Sequence, residues 1–236
     1  FALGAGQVGV QEVHAQRRAK ASKAAAPSGL QDRSPEKGEA AATALGKSKS
    51  SSAVSTLLNG LAMGLHPRVA AAALDALAVH GKQESFDIVS YYMHHRNAKV
   101  RSSAVKAMGT LKDKRANRLV LASLRDSHKS VRAAAAAVLA QKKNKQAIEP
   151  LLVLLTKGDE ASVNALAALA NADLARVISE LIGSAPDGLL AHCLGAILMR
   201  PDFKQEEERV EVVKSMCKIP GNDSMEKLTN YICAIP

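Results

Sequence analysis

The sequence contains very few aromatic residues. Of its 236 residues, 3% are aromatic and none is Trp, although 47% are hydrophobic. β-Sheets usually require more aromatic and β-branched side chains, whereas Ala and Leu form helices readily and allow helices to pack closely. A chain of this length can also bury a substantial core. The composition therefore predicts an all-α protein.

Long apolar runs are also missing. The stretches LLVLL and GLLAHCLGAILM are too short or too interrupted for the ~18 apolar residues of a membrane span, so no transmembrane segment is predicted. A basic start followed by an apolar core and a cleavage site, the pattern of a signal peptide, is not present. Because the sequence begins at Phe1, earlier removal of a signal peptide stays open, and a cytoplasmic location is only slightly favoured.

Cysteine is scarce, and its spacing matches no metal site. The three cysteines are Cys193, Cys217 and Cys233. Their small, odd number favours free thiols in a reducing compartment. The alternative is a disulfide between Cys217 and Cys233 in neighbouring C-terminal helices.

Motifs that carry chemistry are absent as well. The sequence has no phosphate-binding loop, no GxSxG, no HExxH and no CxxC. His94 and His95 are adjacent, so on a helix they point to different sides and do not chelate one metal ion. The acidic run EEERVE is interpreted as a solvated helix face. We therefore predict no catalytic residue, no cofactor and no metal, and we expect the protein not to be an enzyme.

The sequence repeats one pattern six times. Small and bulky residues, mostly apolar, follow each of six anchor positions at offsets of 4, 5, 7 and 8, which trace one face of a helix. Successive anchors lie 28 to 32 residues apart in the sequence. The anchors are Lys37, Val69, Val100, Val131, Ala161 and Leu189.

A second apolar segment follows these helices, for example ANRLVLASL and AIEPLLVLL, and turn residues separate the pairs. Each unit is thus a helix hairpin of about 30 residues, which cannot bury its apolar face alone. The predicted fold is all-α: an α-solenoid of about six stacked helix hairpins.

The residues VR after a short turn, followed by AAAAAVLA and then AIEPLLVLL, resemble a HEAT repeat of the compact bacterial type. The resemblance extends over about residues 34–218 and implies an interaction scaffold, since enzymes and nucleic-acid binders are minorities in that family. We expect residues 34–236 to form the solenoid, with DSMEKLTNYICAIP as a C-terminal capping helix. Residues 1–33 form a basic N-terminal segment, either a tail or the remnant of a preceding repeat.

Positive charge is concentrated in the middle of the chain. The net charge is +10, but residues 96–145 contain fourteen Lys or Arg against only Asp113 and Asp126, a local charge of +12. Because equivalent offsets of stacked repeats lie side by side, the turns within hairpins are predicted to form a basic ridge. The ridge residues are Lys112, Lys114, Arg115, Lys142, Lys143 and Lys145, and Lys82 extends the ridge. The opposite edge would carry Arg96, Lys99, Lys129, His94, His95 and His128.

Two arginines are predicted to have a structural role. Arg101 and Arg132 directly follow their anchors. In HEAT repeats, a basic residue at this position usually forms an internal ladder with an acidic or amide group of a neighbouring turn. Asn97 and Asp126 are the candidate partners.

These features predict a protein–protein interaction scaffold, a subunit of a larger assembly whose partner presents an acidic surface. A solenoid that binds nucleic acid through phosphates, without reading bases, is the first alternative. A helical module of a large lipid-carrying or secreted protein is the second.

Overall fold

The computed structural model describes residues 29–48 and 50–234. Within these residues the protein is entirely helical apart from turns and one isolated bridge between Ile182 and Ala185, so the predicted all-α fold class is confirmed. The thirteen α-helices of the described residues are α1 (Pro35–Lys47), α2 (Ser51–Met63), α3 (Pro67–His80), α4 (Phe86–Tyr92), α5 (Ala98–Thr110), α6 (Lys114–Ala122), α7 (Lys129–Gln141), α8 (Ile148–Thr156), α9 (Ala161–Leu169), α10 (Ala172–Ser179), α11 (Asp187–Leu198), α12 (Glu206–Met216) and α13 (Asn222–Ala234).

The helices follow one another as six pairs and a final single helix. We call the odd-numbered helices α1 to α11 first helices and the even-numbered ones second helices. The chain divides into two compact units, Phe1–Ala135 and Ala136–Pro236, with the boundary inside α7. Of the predicted basic N-terminal segment, residues 1–28 lie outside the described residues.

In the first unit, the first helices α1, α3 and α5 pack side by side, and α2 packs against α4. Close approach requires very small side chains. A Cβ atom at Gly46 in α1 would lie 2.9 Å from the Cβ atom of Ala76 in α3 and 3.1 Å from its Cα atom, closer than such atoms pack. Glycine at this position therefore sets the distance between the first two repeats.

The predicted register is confirmed for the central repeats and wrong at the first. All four offset positions after Val69, Val100 and Val131 are buried. In α1, however, Lys37 and Ala44 are exposed, and the buried face contains Gly38, Ala42 and Gly46. Alanines occur on both faces of α1 and could be buried on either. Gly38 and Gly46 permit the closest contact with α3, so the face that carries these two glycines is the one that packs.

In the second unit, the first helices α9 and α11 pack side by side, and α13 continues their row beside α11. The second helix α10 packs against α12. The helix predicted over DSMEKLTNYICAIP is present from Asn222 to Ala234. Leu139 and Leu166, which occupy the predicted core offsets, are fully buried, whereas Ala168, also predicted to be on the buried face, is exposed.

Arg101 forms the predicted internal ladder with Asp126. Its Nε and Nη2 atoms each donate to one Asp126 carboxylate oxygen at 2.8 Å, and Nη1 donates to the carbonyls of His95 and Arg96. Both side chains of the pair are only 15% exposed. Asn97 has a different role, because its side chain caps α5 by accepting from the backbone N–H of Lys99.

Arg132 binds the carbonyls of its own preceding turn as Arg101 does, one hairpin later. Its Nη1 atom donates to the carbonyl oxygens of Asp126 at 2.9 Å and of Ser127 at 3.1 Å. The two arginines thus fix successive turns between hairpins.

Ser85 is polar, whereas the equivalent position in the next two repeats is alanine. Counting by the repeat spacing of 31 residues, it corresponds to Ala116 and Ala147, and all three are buried. Its hydroxyl has no hydrogen-bond partner among the described residues. A buried hydroxyl without a partner destabilises the folded state.

We predict that Ser85→Ala raises the free energy of unfolding by about 1 kcal/mol, because it removes the unsatisfied hydroxyl at nearly constant shape. The measurement is urea unfolding followed by circular dichroism. Ser224→Ala is the matched control: that buried hydroxyl donates to the Ile219 carbonyl at 3.0 Å, so its loss should be destabilising. A destabilised Ser85→Ala protein would contradict the prediction.

Truncation of the core leucines tests the repeat register. Leu139→Ala and Leu166→Ala should each lower the free energy of unfolding by ~2–5 kcal/mol, because each leaves a cavity in a packed interior. Val79→Ala serves as the control, since that side chain is 74% exposed and its truncation should change stability by less than ~0.5 kcal/mol. Losses as small as the control at both leucines would be incompatible with the register.

Removal of the Arg101 side chain tests the ladder. Arg101→Met should destabilise the protein by about 2–3 kcal/mol, because it leaves a largely buried carboxylate without its charged donor. Arg118→Met is the control, since Arg118 is exposed and forms no ion pair within the described residues.

The pH dependence of stability provides a second readout for the same pair. The hydrogen bonds from Arg101 hold the pKa of Asp126 below its usual range. A carboxyl with a lowered folded-state pKa stabilises the fold above its unfolded pKa of about 3.9, and this contribution disappears as the pH falls through the lower, folded value. Acid unfolding of wild type should therefore show a component that Arg101→Met lacks; identical pH profiles would argue against the pair.

Candidate functional site

The turn between α5 and α6 exposes a group of basic residues. Lys112 lies in the turn, and Lys114 and Arg115 begin α6. Asp113 starts the helix, because its Oδ1 atom accepts a hydrogen bond from the backbone N–H of Arg115 at 2.7 Å. This cap fixes the backbone of the turn, and all three basic side chains are exposed.

Arg115 differs from its two neighbours because its charge is compensated. Its Nε and Nη2 atoms donate to Oδ2 of Asp113 at 3.0 and 2.7 Å, and its guanidinium lies 4.2 Å from the centre of the Phe86 ring. The guanidinium in turn lowers the pKa of Asp113. Lys112 and Lys114 form no ion pair within the described residues, so they carry the uncompensated charge of this turn.

Two neighbouring turns meet at this point of the first unit. Phe86, which the Arg115 guanidinium covers, begins α4, directly after the turn that contains Lys82. A hydrogen bond from Gln83 in that turn also contributes to the lowered pKa of Asp113. The turns within hairpins two and three are therefore adjacent, as the repeat spacing predicts, and Lys82 is exposed.

The second group of predicted residues follows α7 in the second unit. Lys142, Lys143 and Lys145 are all exposed. Lys143 has a φ of +50°, the one positive value among the non-glycine residues described. The Asn144 side chain then accepts from the backbone N–H of Gln146 and starts the 3₁₀ turn Lys145–Ala147.

The three lysines of this group have different electrostatic surroundings. Partial desolvation lowers the pKa of Lys142. Lys143 faces Asp202, which lies in the loop between α11 and α12. The pKa of Asp202 is lowered to about 2, mainly by the guanidinium of Arg200 and to a smaller extent by Lys143. Lys145 forms no ion pair in the part of the chain that the structure describes. Since the two lysine groups belong to different units, each is a separate basic turn here, and a continuous ridge stays a prediction.

The turns between hairpins hold the residues predicted for the opposite edge. Arg96, Lys99 and Lys129 are exposed. His95 and His128, however, use Nδ1 to accept backbone N–H groups, from Asn97 at 3.0 Å and from Ser130 at 3.2 Å. The two rings therefore cap the backbone at the starts of α5 and α7, and a basic opposite edge stays a prediction.

Sequence reasoning missed the roles of Asp113 and Phe86 in this site. An Asp directly before the first helical residue is a recognised helix-start signal, and it could have identified the Asp113 cap. The contact between Arg115 and Phe86 joins residues 29 positions apart and depends on how neighbouring hairpins stack.

Two kinds of feature are missing from the described residues. Within residues 29–48 and 50–234, His, Cys, Asp and Glu side chains form no group of three or more that could hold a metal ion. Along the same residues, every helix falls short of the length and apolar content that a membrane crossing needs.

All three cysteines are free thiols, so the alternative disulfide between Cys217 and Cys233 is not formed. Cys217 and Cys233 are exposed. Cys193 is buried, and burial raises the pKa of its thiol to about 12, which makes it unreactive.

Comparison with known families agrees with the repeat geometry. A family model described as HEAT repeats matches residues 54–128, and a model described as PBS lyase HEAT-like repeat matches residues 131–157. No curated protein matches the sequence. HEAT repeats generally mediate protein–protein interaction, and families built from them are typically non-enzymatic scaffolds. The stacked helix pairs and both matches show that the chain is built from HEAT repeats over residues 54–128 and 131–157.

Proposed function

We propose that this protein is a non-enzymatic subunit of a larger assembly and that it binds an acidic surface of a partner protein through its basic turns. The partner-binding residues would be Lys112, Lys114, Arg115, Lys142, Lys143 and Lys145. One observation carries the proposal: the only two acids of residues 96–145, Asp113 and Asp126, are each engaged by an arginine of the same segment. Among the predicted turn residues, Lys112, Lys114 and Lys145 form no ion pair in the described part of the chain.

Uncompensated charge of one sign lowers the stability of a folded protein. Its concentration in exposed turns is consistent with a binding role, because an opposite surface would offset the repulsion. The turns are also held in place by the Asp113 cap and the Asn144 cap. Side chains on a fixed backbone lose less entropy on binding, which supports recognition by these turns.

The aromatic content favours a protein partner over nucleic acid. Single-stranded nucleic acids are commonly bound by stacking bases on exposed aromatic rings. Among the aromatic residues in the described segments, Tyr92, Phe203 and Tyr231 are buried, and Tyr91 is the most exposed, at 49%. Phosphate binding without stacking is the alternative, and the experiment below separates it from protein binding.

Charge reversal of the turns tests the proposal. The turn-reversed variant carries Glu at Lys112, Lys114, Lys143 and Lys145. Its free energy of unfolding should differ from wild type by less than ~0.5 kcal/mol, because exposed charges contribute little to stability. Its association with the partner should be slower by about tenfold or more at low salt, because opposite charges steer the encounter.

The matched control reverses four exposed lysines outside the two turns: Lys37, Lys157, Lys204 and Lys218. The control has the same net charge as the turn-reversed variant. Any difference in partner binding between the two variants therefore depends on where the reversed charges lie. Tagged wild type and both variants are used to capture partners from extract, with and without nuclease. A protein captured by wild type and control, lost with the turn-reversed variant and insensitive to nuclease, supports the proposal. Loss on nuclease treatment favours phosphate binding, and equal capture by all three chains contradicts both.

A further inference from the structure

The outward side of α6 is basic along its whole length. Lys114 and Arg118 lie one turn apart on this side, and Arg125 follows in the 3₁₀ turn Ser123–Arg125 that continues the helix. All three side chains are exposed, whereas the opposite side, which contains Val120, is buried. Residues separated by four and then seven positions share one face of a helix. We call Lys114, Arg118 and Arg125 the α6 face.

No acid of α6 compensates these charges. The other second helices that carry charge, α4, α8, α10 and α12, each contain at least one Asp or Glu, whereas α6 contains none. Within the described residues, Arg118 and Arg125 form neither an ion pair nor a side-chain hydrogen bond. Arg115 is different, because Asp113 and, less strongly, Asp87 of α4 raise the pKa of its guanidinium. These two acids therefore act on the turn, and the α6 face keeps its charge.

The stability of α6 alone does not account for this arrangement. A basic residue near the C-terminus of a helix interacts favourably with the helix dipole, which explains Arg125 as a local feature. Near the N-terminus the same interaction is unfavourable, and Lys114 lies in the first turn. Lys114 and Arg118 also repel each other, because like charges four positions apart destabilise a helix. An acidic surface placed along α6 would remove both unfavourable terms.

The middle of the α6 face is apolar. Ala122 is exposed and Leu121 is half-buried, and both lie between Arg118 and Arg125. At 1.5 Å per residue, the two arginines are about 10 Å apart along the helix axis. The small side chain of Ala122 allows another helix to approach closely, while a long guanidinium side chain extends on either side. An amphipathic helix can cover these apolar residues, whereas a phosphate backbone offers them nothing apolar. The surface therefore favours a helical protein segment over nucleic acid.

We propose that the α6 face docks an acidic amphipathic helix of the partner protein, which lies antiparallel to α6. Acids of that helix at positions i, i+7 and i+11 meet Arg125, Arg118 and Lys114. An apolar residue at i+3 or i+4 covers Leu121 and Ala122. Arginine suits this role because its guanidinium binds a carboxylate through two hydrogen bonds. In the antiparallel arrangement the negative end of each helix lies beside the positive end of the other. The inference rests on the proposed function, since it assigns a structure to the acidic partner of the basic turns.

The test measures the binding of designed peptides to the full chain by fluorescence anisotropy at low salt. The matched peptide is an Ala-based helix of about 18 residues, which is long enough to be helical. It carries Glu at i, i+7 and i+11 and Leu at i+3 and i+4. The shifted peptide has the same composition, but its Glu residues are distributed around the helix. The matched peptide should bind at least about tenfold more tightly, because only its acids reach all three basic residues together.

Two variants of the protein locate the binding. The face variant carries Arg118→Gln and Arg125→Gln and leaves every lysine of the turns intact. The control variant carries Lys99→Gln and Lys106→Gln, which removes two exposed charges, also seven positions apart, from α5 of the same hairpin. The dissociation constant of the matched peptide should rise about tenfold for the face variant, which corresponds to about 1.4 kcal/mol. For the control variant it should stay unchanged. Circular dichroism verifies that both variants are folded.

Three results would overturn the proposal. Equal binding of the matched and shifted peptides, or equal weakening by the two variants, would mean diffuse attraction to a basic protein. Failure of the matched peptide to bind would show that the face does not accept an acidic helix. Tighter binding of a single-stranded or duplex oligonucleotide, weakened by the face variant, would assign the face to phosphates.

The capture experiment separates this inference from the proposed function. A partner that the face variant captures as wild type does, but that the turn-reversed variant loses, contradicts the docked helix and leaves the basic turns as the binding site. A partner that the turn-reversed variant still captures contradicts the proposed function, whatever the peptides do. Loss of the same partner with both the face variant and the turn-reversed variant, together with tight binding of the matched peptide, supports both.

Discussion

Close contact between first helices is the constraint on which the rest of this fold depends. Each hairpin buries its apolar face only against the next hairpin, so the helices must approach within the reach of very small side chains. Gly46 against Ala76, and the fully buried Ala73 and Ala104, provide that approach. The scarcity of aromatic residues follows from the same requirement, because a large ring between first helices would separate them. The low aromatic content and the stacking of the hairpins thus both follow from the short distance between first helices.

Hydrogen bonding then fixes the turns that this packing brings together. Arg101 reaches across to Asp126 and also binds the carbonyls of its own preceding turn, so one side chain satisfies backbone groups from one turn and a carboxylate from the next. On the opposite edge of the first unit, Arg115 engages Asp113 and covers Phe86. Each contact removes an acid from the surface of a basic segment. The internal stability of the repeats and the surplus of exposed positive charge therefore have a common origin.

The repeat arrangement could be predicted from the sequence because it rests on periodicity. Offsets after Val69, Val100 and Val131 identified buried faces correctly, and the position after the anchor identified Arg101. The face of α1 was mispredicted because a run of alanines carries no directional information. The compensation of Arg115 by Asp113 and the hydrogen bond that His95 accepts from the backbone N–H of Asn97 depend on distances of about 3 Å within a turn, which periodicity does not resolve.

The packing of α10 against α12 was also beyond prediction from the sequence. The run EEERVE was interpreted as a solvated face, which describes Glu206 and Glu207. Glu208 is half-buried beside α10, whose facing residues lie some 30 positions earlier in the chain. Which member of an acidic run faces a neighbouring helix depends on how the two helices pack.

The backbone at Lys143 shows a conflict between folding and surface chemistry. Counted from the anchors Val69 and Val131, Lys143 occupies the same position as Gly81, which has a φ of +57° against +50° for Lys143. Glycine adopts this conformation without penalty, whereas a residue with a Cβ atom loses roughly 1–2 kcal/mol. A sequence optimised only for thermal stability would place glycine in both turns and would thereby delete one charge from the lysine group. Replacing Lys143 with glycine would, for that reason, yield a more stable protein with a less basic surface.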